Sequence, residues 1–324
     1  MRIVYICEPN CNIHKSMEAL LIKKGGYKIN MIPLVDVGCI VIFGNTQISS
    51  QTLSLLFSKG IDVVFMSTSG LVKGRIMSEK SSNVVLRIAQ YNRWKDEKFG
   101  LDFSRKIIGA KIQNQKNLLK SHYYSLSDED IKTKIDAINE LEKRINTLKS
   151  INSLMGVEGM SAKNYFSCFN KMLKKIDFSS RQKRPAHDPV NSLLNLGYAF
   201  LRNEISARLY TYSFDLELGF LHGIRYGRKS LPLDLMEEFR PTFIDKYVIQ
   251  LFNKKVFKRD DFDITEEGCV LKHIMLKRFC AEHHRHVSSK ADGEKTWKDI
   301  FDWQVRKFRK TILEGADYSP FVSK

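Results

Sequence analysis

Long apolar runs are missing from this chain. No segment reaches the roughly 18 uninterrupted apolar residues of a membrane-spanning helix, so we expect no membrane span. The first residues, MRIVYICEPN, lack a long apolar stretch followed by a small-residue cleavage site, so we expect no signal peptide. With 43% hydrophobic residues the chain still has enough apolar surface for a substantial core, which excludes an intrinsically disordered protein.

Cysteine is scarce, and several common catalytic motifs are absent. Six cysteines are scattered over 324 residues without a regular framework, which predicts reduced thiols in a cytoplasm. The sequence contains no P-loop, no GxGxxG before a helix, no GxSxG and no HExxH. These absences argue against an NTPase, a dehydrogenase, a serine hydrolase and a zinc protease.

Acidic residues are in deficit. The chain has 36 Asp and Glu against 53 Lys and Arg, a net charge of +17. This surplus predicts a polyanionic partner, with nucleic acid as the first candidate and an anionic membrane surface as the second. Each basic stretch, such as the one that contains Arg184, is also compatible with an ordinary solvated face. Their number favours contacts with backbone phosphates for at least some of them.

The apolar pattern changes near residue 80. The pattern of residues 1–78 predicts short strands rich in β-branched residues, interrupted by one helix at 51–58. Serines directly before this helix are candidate N-caps. The remainder has helical periodicity, including a helix over 128–154 that we expect Ser127 to cap. The predicted fold class is α+β: a small N-terminal β-domain with one helix (residues 1–78) and a larger all-α domain (residues 79–324).

Residues 219–241 combine an imidazole with a tight acidic cluster. His222 is followed by Asp234, Glu237 and Glu238, which would share one face of a helix. Carboxylates packed so closely repel one another, and a divalent cation held by them and by the imidazole would remove the repulsion. A solvated helix face and a hydrogen-bonded core histidine remain the alternatives.

A basic loop lies between the histidine and the acidic cluster. Arg225, Arg228 and Lys229 would suit a phosphate lying over such a cation, and with Arg184 they are our candidates for nucleic-acid contacts. Glu158 is a further candidate carboxylate, since the glycines on both sides would let another group approach it. Its alternative is an ordinary surface glutamate at a helix end.

A second cluster, Cys280, His283, His284 and His286, has spacing that resembles a zinc site. A structural zinc site usually needs a second ligand pair at defined spacing, and the nearby candidate pair is Cys269 with His273. A polar helix face is the alternative for this cluster.

Four segments in order resemble one known family. They read LMGVEGMSAKNYF, RPAHDPVNSLLNLGYAFL, DLELGFLHGIR and RKSLPLDLMEEFRPTFID. Together with GNTQISSQTLSLLFSKGIDVVFMSTSG near the start and QVRKFRKTILEG near the end, they resemble the CRISPR-associated endonuclease that acts as the integrase of spacer acquisition. The resemblance covers nearly the whole chain.

The resemblance implies a metal site and a set of partners. The metal ligands would be Glu158, His222 and Glu237, with Asp234 as a supporting catalytic carboxylate; Asp234 or Glu238 could replace Glu237. The metal would be Mg²⁺ or Mn²⁺. The implied partners are the DNA fragment and the CRISPR array, a second copy of the chain joined through the β-domain, and a small CRISPR-associated protein that bridges two dimers.

The implied activity is insertion of short DNA fragments into a CRISPR array by attack of a 3′-hydroxyl on a phosphodiester. With water in place of that hydroxyl, the same site would cut DNA. The alternatives are a metal-dependent nuclease for branched or repair DNA and a non-enzymatic basic DNA-binding protein.

Overall fold

The computed structural model describes residues 1–67, 70–77, 83–183 and 185–323, without the side chains of Leu126 and Asp292. Its contacts divide the chain into two compact units, Met1–Ser82 with Leu271–Ser289 and Asn83–Val270 with Lys290–Lys324. The predicted boundary between residues 78 and 79 lies outside the described residues. No sequence pattern predicted that residues 271–289 group with the N-terminal unit.

Strands dominate the first unit and helices the second, as predicted. The strands are β1 (Arg2–Ile6), β2 (Cys11–Ser16), β3 (Ala19–Lys24), β4 (Tyr27–Pro33), β5 (Val37–Phe43), β6 (Thr46–Ile48), β7 (Asp62–Met66), β8 (Val72–Ile76), β9 (Phe262–Thr265), β10 (Gly268–Leu271), β11 (Lys290–Asp292) and β12 (Lys295–Thr296). The helices are α1 (Ser50–Ser58), α2 (Val84–Lys95), α3 (Glu97–Leu126), α4 (Glu129–Arg144), α5 (Ile151–Ser167), α6 (Phe169–Met172), α7 (Pro189–Thr211), α8 (Ser230–Met236), α9 (Lys246–Asn253), α10 (His273–Val287) and α11 (Trp297–Glu314).

Two four-stranded sheets form the first unit. One has the order β1-β5-β7-β8, with β8 antiparallel to an otherwise parallel sheet, and the other has the order β4-β3-β2-β6. Strand β5 reads VGCIVIF and buries six of its seven residues because it has a strand on each side. Helix α1 starts where Ser49 accepts a hydrogen bond from the Thr52 amide, which confirms the predicted cap.

Helix α10 corrects the expectation of reduced thiols. It buries Leu276, Phe279 and Cys280, and the structure joins the Cys280 and Cys7 sulfurs in a disulfide. The two cysteines are 273 residues apart in the sequence, so their spacing carried no signal of the pairing. The other four cysteines, Cys11, Cys39, Cys168 and Cys269, take no part in this disulfide, and all are buried.

The long helices of the second unit build its core. Helix α3 has 30 residues, and α7 buries most of its 23. The predicted cap at Ser127 is wrong: this residue has a φ of 51° and ends α3, while Asp128 accepts hydrogen bonds from the Asp130 and Ile131 amides and starts α4. No helix in the described part of the chain is long and apolar enough to cross a membrane.

The helical geometry changes where the acidic cluster lies. Helix α8 tightens into a 3₁₀ turn at Glu237–Phe239, widens into a π-helical segment at Arg240–Asp245 and continues as α9. Successive side chains therefore leave this segment in directions that a regular α-helix would not give them.

Candidate active site

Three elements of the second unit carry the predicted ligands. Glu158 lies in the middle of α5, His222 lies between α7 and α8, and Glu237 begins the 3₁₀ turn after α8. Glu237 is almost completely buried, whereas the side chains of Glu158 and His222 are each 20% exposed. Two of the three candidates are therefore accessible from outside.

Asp234 fixes the position of His222. It is fully buried, and its Oδ1 accepts hydrogen bonds from the His222 amide at 2.9 Å and from His222 Nδ1 at 2.8 Å. Its Oδ2 accepts from the amides of Phe220 and Leu221 at 2.6 and 3.0 Å. Gly219 permits this packing, because a Cβ there would lie 2.8 Å from Oδ2. With Nδ1 held by a carboxylate, Nε2 is the nitrogen that can bind a ligand.

Lys111 lies between Glu158 and Glu237. This buried lysine of α3 contacts Glu158 Oε1, and its Nζ is 2.6 Å from Glu237 Oε2. Burial alone would raise the pKa of Glu237, but Arg240, Lys111 and His222 outweigh burial and lower this pKa to about 2. The structure thus brings Glu158 and Glu237 together around one positive charge.

Arg240 completes the charge balance of Glu237. One guanidinium nitrogen lies 3.1 Å from Glu237 Oε1, and the guanidinium stacks 4.7 Å from the centre of the Tyr198 ring. The Tyr198 hydroxyl donates to Asp245, which also accepts a hydrogen bond from the Tyr165 hydroxyl at 3.0 Å. Burial raises the pKa of Asp245 to about 6 despite these hydrogen bonds.

The three clustered carboxylates do not share a face, contrary to the prediction. Asp234 faces His222 and Glu237 faces Lys111. Glu238 instead accepts hydrogen bonds from Tyr318, Gln304 and the Phe321 amide, near the end of the described chain. Glu237 and Glu238 thus have different partners, Lys111 for the first and the C-terminal segment for the second.

A basic cavity of about 560 Å³ opens beside Glu158. Five basic residues line it together with Glu158: Lys111, Lys163, Arg181, Lys183 and Arg240. Positive charge in a concave site beside a carboxylate pair is suited to phosphate groups.

The basic loop after His222 is tied down at its base. Arg228 donates to the Gly223 carbonyl and, through Nε at 3.1 Å, to Ser230 Oγ. Lys229 Nζ donates to the Tyr210 hydroxyl at 2.8 Å, whereas Arg225 is exposed. The fourth predicted DNA contact, Arg184, lies outside the described residues.

The donor chemistry of the site fits a divalent cation, but its present geometry does not yet form a ligand sphere. Two carboxylates and an imidazole nitrogen are suitable ligands for Mn²⁺ or Mg²⁺. The carboxylates already converge on a cation, the Lys111 ammonium. Within the described residues, however, no three His, Cys, Asp or Glu side chains stand close enough together to hold an ion.

The zinc-like spacing in α10 does not form a site either. Cys280 is in the disulfide with Cys7. His283 is buried, with its ring edge-on to Tyr5 at 5.5 Å between centroids. The described residues contain no cluster of metal ligands here.

Sequence reasoning missed Lys111 and Arg240. Lys111 lies at helical spacing from the buried residues Ile107, Ile108 and Gln115. A lysine on an otherwise buried face of a helix indicates a buried acidic partner, and the sequence contained this signal. Arg240 follows Glu237 by three residues, which is the spacing of a helical ion pair.

Solved structures share the fold of this chain. A CAS1 protein from Thermotoga maritima matches with a TM-score of 0.84 and 21% identity, over 100% of both chains. A casposase bound to integration product matches with a TM-score of 0.83 and 24% identity, over 99% of this chain and 93% of that chain. A chain of a Cas6-RT-Cas1–Cas2 complex matches with a TM-score of 0.86 and 21% identity, over 100% of this chain and 36% of that chain. At these identities the likeness shows the fold alone.

Sequence comparison gives the family. The CRISPR-associated endonuclease Cas1 1 of Thermodesulfovibrio yellowstonii is 31% identical over 98% of this chain and 99% of its own length. A Cas4 exonuclease/Cas1 endonuclease fusion of Geobacter sulfurreducens is 31% identical over 88% of this chain, which spans only 52% of the fusion. The family model described as CRISPR associated protein Cas1 matches residues 4–285. The chain belongs to this family.

Proposed function

We propose that this protein is a divalent-metal-dependent DNA endonuclease and integrase that inserts short DNA fragments into a CRISPR array. The observation that carries the proposal is the convergence of Glu158 and Glu237 on one positive charge beside a basic cavity. The resemblance of the chain to proteins named CRISPR-associated endonucleases supports the same activity.

Glu158, Glu237 and His222 Nε2 would hold Mn²⁺ or Mg²⁺. When bound, the ion supplies Lewis acidity and neutralises charge at the phosphorus. Asp234 is a positioning residue, since all four of its hydrogen bonds go to residues 220–222 and keep the imidazole in one orientation. Glu238 is not part of this ligand set because the C-terminal segment occupies its oxygens.

The remaining residues would bind and orient the DNA. The cavity lysines and arginines contact phosphates, and Arg225 at the exposed loop adds contact beside His222. In strand transfer, the fragment 3′-hydroxyl gives up its proton and its oxygen forms a new bond to phosphorus. The bond from phosphorus to the 3′-oxygen of the array strand breaks, and that oxygen takes up a proton. With water as the attacking group, the same arrangement cuts DNA.

The partners we propose are DNA, a second copy of the chain and a small CRISPR-associated protein that bridges two dimers. The Cas6-RT-Cas1–Cas2 complex supports a Cas partner by its name. Strand β4 supports a dimer contact in the first unit, because its apolar residues Tyr27, Ile29 and Met31 are 80%, 45% and 42% exposed. A DNA substrate of this kind places the reaction in the cytoplasm.

The experiment is a strand-transfer assay. The protein is mixed with a short duplex with free 3′ ends, a supercoiled plasmid that carries an array, and the small partner protein, in Mn²⁺ or in EDTA. Joining of the duplex to the plasmid only in Mn²⁺ supports the integrase. Cutting without joining favours the repair-type nuclease, and binding without chemistry in Mn²⁺ or Mg²⁺ favours the non-enzymatic DNA-binding protein.

A further inference from the structure

The Lys111 ammonium occupies the space between two carboxylates that the proposed function assigns to a metal ion. Its Nζ contacts Glu158 Oε1 and lies 2.6 Å from Glu237 Oε2. This oxygen of Glu237 is buried, and within the described residues the ion pair is its one polar contact. The side chain of Lys111 is itself only 9% exposed.

Lys111 supplies a positive charge that both carboxylates contact. Without a cation here, two carboxylates would face each other in a poorly hydrated site, an arrangement that is strongly destabilising. Arg240 contacts the other oxygen of Glu237.

A lysine cannot share this space with a metal ion. A divalent cation held by both carboxylates would need the space that the ammonium occupies. Lys111 also lines the basic cavity, so a displaced side chain has room on that side. The absence of a ready ligand sphere among the described residues agrees with a site that is closed on its own lysine.

We propose that Lys111 is a placeholder: its ammonium keeps Glu158 and Glu237 converged when no metal is bound, and it competes with the metal for the two carboxylates. The inference rests on the proposed function, since it presumes that these carboxylates are ligands. Lys111 is then a positioning residue with two effects. It lowers the affinity of the site for metal, and it stabilises the protein when no metal is bound.

The test compares Lys111→Met with the wild type in the full-length chain. Calorimetric titration with Mn²⁺ at one fixed pH should show binding tighter by about tenfold or more in the variant, because the competing cation is gone. In EDTA the variant should unfold at a lower temperature than the wild type. Mn²⁺ should then raise the Tm of the variant more than that of the wild type.

Lys116→Met is the matched control. Lys116 is a second buried lysine of α3, 5% exposed, and it pairs with Glu142 away from the site. This variant should also lose stability in EDTA but should keep the Mn²⁺ affinity of the wild type.

The outcomes separate the two claims. Equal or weaker Mn²⁺ binding by Lys111→Met overturns the placeholder. Absence of Mn²⁺ binding in both the wild type and Lys111→Met overturns the metal site itself. If Lys111→Met does not fold, acetylation of the wild-type protein is followed by mass spectrometry. Reactivity of Lys111, and not of Lys116, should rise when Mg²⁺ is added; unchanged reactivity of Lys111 contradicts the inference.

Discussion

Individual side chains in this site act in pairs. His222 has a defined orientation because Asp234 accepts four hydrogen bonds from residues 220–222. Glu237 keeps its charge inside the protein because Lys111 and Arg240 balance it. Removing one member of such a pair therefore leaves the other buried without a partner. The free energy of unfolding then falls by more than the intact pair contributes to it.

Asp234→Asn tests the role of the buried carboxylate. The amide nitrogen of Asn would face the amide donors of Phe220 and Leu221 or the donor on His222, so the imidazole loses its fixed orientation. We expect Mn²⁺ affinity to fall by about 10- to 100-fold, measured by calorimetry. Glu238→Gln is the control, since that buried carboxyl faces Tyr318 and Gln304 and its variant should keep the affinity. Wild-type affinity in Asp234→Asn would remove Asp234 from the site.

The contribution of Asp245 to the stability of the folded protein depends on pH. Burial raises its pKa from 3.8 to about 6. A carboxyl group with a raised folded-state pKa stabilises the protein below pH 3.8, and this contribution is lost as pH rises through about 6. The loss amounts to about 3 kcal/mol for a shift of this size.

We therefore expect Asp245→Asn to change the pH profile of unfolding. Urea denaturation at pH 4 and pH 7 should show the wild type losing more stability between these values than the variant does. The amide of Asn can still accept from one tyrosine hydroxyl and donate to the other, which keeps the packing of Tyr165 and Tyr198. Equal losses in the two proteins would show that Asp245 is ionised throughout.

Changes of helix type decide which residues reach the site. A regular helix would direct Asp234, Glu237 and Glu238 to one side, but the 3₁₀ turn and π-helical segment after α8 send them to three different partners. Arg240, three residues after Glu237, pairs with it across one turn. The loop after His222 depends in turn on Arg228, which closes it onto the Gly223 carbonyl.

Charge reversals in this loop should separate DNA binding from loop stability. Arg225 is exposed, so Arg225→Glu should weaken DNA binding by about 3- to 10-fold at low salt and leave Tm nearly unchanged. Arg228→Glu should weaken binding and also lower Tm, because it removes the contacts with Gly223 and Ser230. Fluorescence anisotropy and thermal unfolding measure the two effects.

Lys143→Glu is the charge-matched control for the loop variants. Lys143 is a 70% exposed residue of α4, paired with Glu140. If its reversal weakens DNA binding as much as that of Arg225, the loop has no particular role and the effect is one of net charge.

In the whole molecule, the exposed apolar residues of β4 predict how two copies associate. Replacing Tyr27 and Met31 together by Lys should convert a dimer into monomers in sedimentation experiments, because buried lysines cannot replace an apolar contact. Tyr124→Lys, at a 79% exposed residue of α3, is the control and should leave the dimer intact. Dimers of the double variant would place the contact elsewhere.

The sequence predicted the local features of the fold. Apolar periodicity distinguished the strands of the first unit from the helices of the second, and the cap at Ser49 stands where expected, whereas the one expected at Ser127 does not. These features depend on neighbours within a few residues, which a single sequence displays.

Features that depend on distant partners escaped prediction. Lys111 contacts Glu158, 47 residues away, and Cys7 pairs with Cys280, 273 residues away. The different roles of Asp234, Glu237 and Glu238 follow from the helix type after α8, which the spacing of the three carboxylates did not reveal. For the same reason the ligand set Glu158, His222 and Glu237 came from family resemblance and stays a proposal.

The most direct test of the central claim is Mn²⁺-dependent strand joining by Glu158→Gln beside Glu142→Gln. Both glutamates pair with a buried lysine of α3, but Glu142 lies outside the candidate site. We predict that Glu158→Gln loses joining and cutting by a factor of about 100 or more while it still binds DNA. Glu142→Gln should remain active. Normal joining by a folded Glu158→Gln would rule out Glu158 as a metal ligand.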